Sequence, residues 1–348
     1  MIKNRIIRCC IAALVVFLIF STAAAEERPS LDDQLREHLH NDYFNLNLLI
    51  QSEGRFSFKD NDFQGGRTFS AANARISLRG NLDGGFFYRV MVDAAPQVRL
   101  LDAFVGYKMH DAFSVSVGAM KPRQTLDFIP DPGGHNFVDR AVITGLLVGS
   151  REIGVAATGD VGGFYYYAGL FNGNRLNDNT NNKFYGIGRL QYTFSDLIPG
   201  TIQVGINGSH GDSEGAISGS RGPQLAGNRT IFGADLEMHS GPIYFATEYL
   251  QGNLEAIVSW SVWPGDKVDE TINGYYFTGG YSLSPKTMAF VRWQSWDHDK
   301  VDWKANQLTL GTNIDITDLF GIVINLDAYL PDQGDTLYGA SFIVQVQF

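Results

Sequence analysis

From residue 43 onward the chain alternates apolar and polar side chains with period two, in segments separated by polar, glycine-containing turns. The final segment is the clearest. Tyr338, Ala340, Phe342, Val344, Val346 and Phe348 fall on one face, and Gly339, Ser341, Gln345 and Gln347 on the other, with Ile343 the exception. Leu308, Leu310, Thr312, Ile314 and Ile316 likewise oppose Gln307, Thr309, Gly311, Asn313 and Asp315. Near the start, Ala74, Ile76 and Leu78 oppose Asn73, Arg75, Ser77 and Arg79. Successive side chains of a strand point to opposite faces, so this rhythm predicts strands with one dry and one wet face. Sixteen segments qualify: 43–55, 67–80, 85–95, 98–109, 112–121, 150–160, 162–171, 183–195, 200–210, 229–240, 241–252, 271–284, 285–296, 304–316, 319–330 and 335–348.

The connections sort into two kinds. Every second one is short: Asn81–Gly84, His110–Asp111, Val161, Ser195–Pro199, Ser240-Gly241, Ser284-Pro285 and Thr317–Asp318. The others are mostly long and rich in Gly, Asn and Asp: Lys59–Gly66, Pro122–Gly149, Asn172–Asn182, Gly211–Asn228, Asn253–Glu270, Asp297–Trp303 and Pro331–Gly334, with Pro96-Gln97 the short exception. A soluble sandwich has no reason to sort its loops in this way. A transmembrane antiparallel barrel does, with short periplasmic turns and longer external loops. Aromatic residues gather near strand ends, as at Phe86–Tyr88, Tyr165–Tyr167, Tyr275–Phe277 and Trp293 with Trp296. Such rings suit a membrane–water interface.

Composition agrees with an all-β membrane chain. Glycine is abundant, at 39 residues, and no apolar run after residue 25 is long enough for a membrane helix. A closed barrel crosses a bilayer without such a run, because only every second side chain meets lipid and all backbone groups pair between strands. Residues 1–25 read as a secretory leader: Lys3, Arg5 and Arg8, then the apolar stretch Ile11–Phe20, then Ala23-Ala24-Ala25, with cleavage expected near Ala25. Residues 26–42 form a short charged periplasmic segment and 43–348 the barrel. The expected location is the outer membrane. Cys9 and Cys10, the two cysteines, both lie in the leader, which excludes disulfides and thiol chemistry from the rest. The leader also holds three of the 27 basic residues and none of the 37 acidic ones, so its loss makes the chain more acidic than its overall charge of −10.

Several stretches resemble the phosphate-selective porin O and P family: Leu101-Asp102-Ala103-Phe104-Val105-Gly106-Tyr107-Lys108, Val117-Gly118-Ala119-Met120-Lys121-Pro122-Arg123, Phe137-Val138-Asp139-Arg140, Gly149-Ser150-Arg151-Glu152-Ile153-Gly154-Val155, Gly169-Leu170-Phe171-Asn172-Gly173 and Gly188-Arg189-Leu190. They run in the family's order over about 90–195. The resemblance implies a sixteen-stranded outer-membrane porin, a homotrimer, and a third external loop folded into the pore. The longest connection, Pro122–Gly149, sits at that loop's position. The last strand, ending at Phe348, is the expected signal to the barrel-assembly machinery.

Strand parity assigns charges to the lumen. Arg75, Arg79, Arg89, Asp102, Lys108, Arg189 and Arg292 each oppose the apolar face of their strand. Placing a charge on the lipid face costs about 2–4 kcal/mol at midplane, which favours the inward assignment. Asp235, Glu237, Glu248, Asp315 and Asp327 add inward acids, and the third loop contributes Lys121, Arg123, Asp127, Asp131, Asp139 and Arg140. The pore lining is therefore mixed. The arginines either form a partial ladder for anions or brace the wall through ion pairs, and parity does not choose between these.

The function expected is passive diffusion of small hydrophilic solutes, with anions such as phosphate as candidates. No catalytic constellation is present: no G-x-S-x-G elbow stands at a strand-to-helix turn, and the seven histidines lie mainly in turns, loops or the N-terminal segment. No cofactor, metal or nucleic-acid partner is expected. The alternatives are a barrel lipid hydrolase and a surface-binding protein that works through its loops.

Overall fold

The computed structural model describes residues 31–41, 43–59, 66–195, 197–258, 266–300 and 303–348. The leader expected over residues 1–25 and its expected cleavage site lie outside the described residues. A short helix α1 (Leu31–Leu39), braced by an Asp32–Arg36 ion pair one turn apart, precedes the first strand. The strands are β1 (Asn45–Ser57), β2 (Arg67–Asn81), β3 (Phe86–Asp93), β4 (Arg99–His110), β5 (Phe113–Met120), β6 (Glu152–Val161), β7 (Phe164–Phe171) and β8 (Tyr185–Phe194). They continue as β9 (Thr201–Asp212), β10 (Gln224–Ser240), β11 (Ile243–Val258), β12 (Asp266–Ser284), β13 (Thr287–His298), β14 (Ala305–Asp315), β15 (Phe320–Pro331) and β16 (Leu337–Gln347). A second helix, α2 (Val142–Leu147), lies between β5 and β6.

Each strand pairs antiparallel with its sequence neighbours, and β1 closes onto β16 from Leu49–Gln347 to Ser57–Gly339. Closure leaves no sheet edge, so the wall satisfies its own N–H and C=O groups, the condition for crossing hydrocarbon. Val105, Val117, Leu190, Ile206, Leu310 and Leu326 point outward and stay exposed, while their neighbours in sequence turn inward. The short turns are built for tight reversal. Between β6 and β7 the paired residues Val161 and Phe164 enclose only Gly162 and Gly163, at φ 58° and 87°, and two successive positive φ values are what a two-residue hairpin of this hand requires.

The sixteen strands expected from the alternation are all present. Three are longer than their patterns suggest: β10 begins at Gln224, β11 runs to Val258 and β12 begins at Asp266. These extensions, such as Asp266–Glu270, lack a strict apolar face. A ladder outside the apolar band needs no lipid-facing side chain and still pairs its backbone, so period two loses its signal there.

The segment from Lys121 to Arg151 touches strands on every side of the cylinder. Asp131 meets Arg89 on β3 at 3.0 Å, Gln124 meets Ser209 on β9 at 2.9 Å, and the amide of Leu126 donates to Glu248 on β11 at 2.9 Å. The amide of Val142 donates to Gln294 on β13 at 2.8 Å, and Gln345 on β16 donates to the carbonyl of Gly133 at 3.2 Å. One loop reaches opposite walls only from inside a barrel. Its apolar residues Phe128, Phe137, Ile143, Leu146 and Leu147 form a buried cluster with Leu250, Leu254, Ile272 and Trp296. Ile343, the exception on the last strand, packs inward with Val323 against Val138 of this loop. The apolar residues on the wet face are thus the loop's seat. The connection between β9 and β10 leans on the same structure, with the amides of Ser220 and Arg221 donating to the carbonyl of Gly145 at 2.8 and 2.9 Å.

Candidate functional site

The loop divides the inward charges into two groups. One group lies beneath it on β8–β15. Arg189 is sealed there, its guanidinium gripping Asp235 through two bonds of 2.6 and 2.7 Å and donating to the carbonyl of Gln124. Glu248 is also sealed, its carboxylate accepting from the amides of Leu126 and Asp127 at 2.9 and 3.3 Å. Asp327 accepts from Thr309 and Gln307, and Arg292 donates to the carbonyl of Asp139 while lying over the Phe137 ring. These charges hold the loop and its seat together.

The second group faces open space along β1–β6. A cavity of about 340 Å³ on the outer side is lined by Arg55, Arg75, Arg140 and Arg221 together with Glu53 and Asp139. Arg75 also lines the next cavity toward the short turns, of about 410 Å³, with Arg79, Arg89 and Asp131. Arg89 and Asp131 in turn line a third, of about 850 Å³, shared with Asp102, Lys108, Lys121 and Arg123. The shared residues make these cavities steps of one descent. Lys108 stands at its end, paired with Asp111 in the turn between β4 and β5 at 2.7 Å.

Bases outnumber acids along this wall. Asp93 is shared by Arg75 and Arg99 at 3.3 and 3.2 Å, and Asp102 by Arg151 and Arg89 at 2.7 and 3.3 Å. Asp131 is shared by Arg89 and Lys121 at 3.0 and 3.4 Å, and Asp139 by Arg55 and Arg221 at 2.6 and 2.8 Å. Arg55 also contacts Glu53, and Arg140 donates to the backbone carbonyls of Asp127 and Pro130. These contacts involve eight basic side chains and five acids.

The loop's own ionisable groups are tuned by this crowding. Desolvation raises the Asp131 carboxyl, but Lys121 and Arg89 outweigh it and hold it well below the carboxylate range. Asp139 is held low in the same way by Arg55 and Arg221 against its burial. Burial, then the nearby Arg140, draws Lys121 down to about 7 against the pull of Asp131. Burial, then Arg140 and Lys121, keeps His135 well below its ordinary value, so its ring is neutral.

Of the residues singled out in the sequence, Arg75, Arg79, Arg89, Asp102, Lys108, Lys121, Arg123 and Asp131 border the descending cavities. Asp139 and Arg140 stand at their outer end. Arg189 does not border them and lies sealed under the loop, while Arg292 and Asp127 line a further cavity with Glu237 and Tyr276 that meets the others at Arg123 and Asp139. Arg55, Arg99, Arg151 and Arg221 were not singled out. Arg55 shares the inward face of β1 with Gln51 and Glu53 and is legible by parity. Arg151 precedes β6 and Arg221 sits in a connection, so loop geometry, not parity, aims them.

Comparison with known proteins agrees with this geometry. Residues 44–300 match the family described as phosphate-selective porin O and P. The chain belongs to that family. Its fold is shared by the anion-selective porin from Comamonas acidovorans, at TM-score 0.64 and 16% identity, covering 88% of this chain and 99% of that one. OmpT of Vibrio cholerae aligns at TM-score 0.62 and 12% identity, covering 88% and 97%. The outer membrane channel DcaP of Acinetobacter baumannii aligns at 0.61 and 12%, with the same coverage. No curated protein sequence matches the chain. This porin is an outer-membrane channel, and its closed sixteen-strand wall lets small hydrophilic solutes diffuse through the lumen.

Proposed function

We propose that this porin prefers anions and that its solute path runs along the β1–β6 wall, past Arg75, Arg89 and Lys121. The observation that carries this reading is the sorting of charge by the loop. Two acids of the far wall, Glu248 and Asp235, are buried and held by loop amides and by Arg189 respectively, while the wall along β1–β6 holds more bases than acids. Charge at a narrow, water-filled point selects the opposite ion, even when the whole chain is acidic. Phosphate is among the anions the arginines suit, since paired guanidinium groups match oxyanion geometry.

The residues before β1 stand on the short-turn side, and the outward apolar band meets outer-membrane lipid. A homotrimer is the proposed assembly, as in the trimer form of OmpT from Vibrio cholerae. The C-terminal strand is proposed as the assembly machinery's contact. The test is a reversal potential across a potassium chloride gradient in a planar bilayer. A chloride-selective sign, reduced by Arg75→Ala, supports the reading. A potassium-selective sign overturns it. Phosphate added at low concentration should then depress the chloride current of the native porin more than that of Arg75→Ala.

A further inference from the structure

One cavity above the descent is unlike the others. It holds about 240 Å³ between α2, β13, β14 and β15, and its wall includes Trp296, Trp303, Tyr329 and Leu146. The indole N–H of Trp303 donates to the Tyr329 hydroxyl at 2.8 Å, and the Trp296 ring centre lies 5.7 Å from that of Trp303 and 5.8 Å from that of Tyr329. Hydrogen bonding and ring contacts thus give this aromatic corner a defined shape. A cavity of about 150 Å³ with apolar walls accepts a benzene ring, so 240 Å³ takes one ring with a small head group.

The polar side of the same cavity is short of acceptors. Arg292, Gln294 and Trp296 occupy successive inward positions on β13, and all three are buried. Among the described residues, Arg292 Nε, Gln294 Nε2 and Trp296 Nε1 have no hydrogen-bond partner. Buried donors of this kind normally find one. The acids at hand are committed, Asp139 to Arg55 and Arg221, and Asp327 to Thr309 and Gln307. Arg140 and Arg292 donate to backbone carbonyls and keep their charge. A sugar or alcohol would bring more donors to a place that already has a surplus. A carboxylate brings acceptors alone, together with the missing negative charge.

We infer that this cavity is a binding site for small aromatic carboxylates, with the ring against Trp303 and Tyr329 and the carboxylate toward the β13 donors. The site goes beyond the ion preference proposed above and does not depend on it. It borders the descent, since Arg55, Asp139, Arg140 and Arg221 line both this cavity and the next. A ring-bearing anion held here therefore narrows the way for chloride.

The test uses the native porin in planar bilayers with sodium benzoate as probe, against sodium acetate and benzyl alcohol. Benzoate should depress the chloride current saturably where equal acetate or benzyl alcohol does not. It should also shift the tryptophan fluorescence of the detergent-solubilised porin with the same half-saturation. Trp303→Ala should raise that half-saturation about tenfold, the loss expected for one well-placed ring contact, and Trp303→Phe should restore most of it. Benzoate acting no better than acetate, benzyl alcohol acting as well as benzoate, or Trp303→Ala binding as tightly as the native porin would each overturn the site. Potassium selectivity in a chloride gradient would instead remove the reading under Proposed function. The fluorescence titration would still decide this one.

Discussion

Leu147→Asp is the sharpest perturbation of the inward loop. Leu147 is fully buried, its methyl groups filling the space left by Gly252 on β11. With Ile143 and Leu146, both at 1% exposure, it forms the apolar face of α2. Three such side chains contribute about 5–9 kcal/mol to docking, at about 1.5–3 kcal/mol each. Replacing Leu147 removes about 2–5 kcal/mol of that packing and adds several kcal/mol for an unpaired buried carboxylate. The two costs together match or exceed the docking energy, so α2 should leave its seat. The barrel itself should persist, because its sixteen strands pair with one another and not through the loop. Single-channel conductance in planar bilayers should therefore rise, and larger neutral solutes should enter proteoliposomes faster. Conductance and size limit equal to those of the native porin, in a variant with native β-sheet circular dichroism, would refute the claim that this seat holds the loop.

Glu248→Ala should be milder. It leaves the loop amides of Leu126 and Asp127 without their carboxylate, at a cost of about 1–3 kcal/mol each, which the apolar seat withstands; noisier current at nearly unchanged mean conductance is the expected trace. Asp235→Ala strips Arg189 of its partner under the loop, so the denaturation midpoint should fall by the equivalent of about 3–5 kcal/mol while ion selectivity changes little. Arg75→Ala should do the reverse, lowering chloride preference with a smaller loss of stability. Lys121, drawn down to about 7, is charged below that pH and neutral above it. The chloride-to-potassium permeability ratio should accordingly fall as pH rises from about 6 to 8. Asp131, held low, and His135, held neutral, do not titrate in that window, so Lys121→Arg should abolish the dependence.

The wall was legible in the sequence because strand geometry is local. Side chains alternate whatever the strand pairs with, so Tyr338 to Phe348 announces its two faces unaided, and alternating loop lengths announce the direction of each strand. Parity could also have shown Arg55. Tertiary structure decided what the inward face does. Arg75 and Arg189 carry the same signal in sequence, yet one borders open water and the other lies sealed against Asp235, because a loop far from both in sequence covers only one of them. Ile343 looked like an error of pattern and is a contact with Val138, and Arg151 takes its aim from the loop that ends beside it. Alternation is a property of each residue's own backbone. Which lumen charges remain free depends on how a thirty-residue excursion folds back across the barrel, and period two carries no information about that.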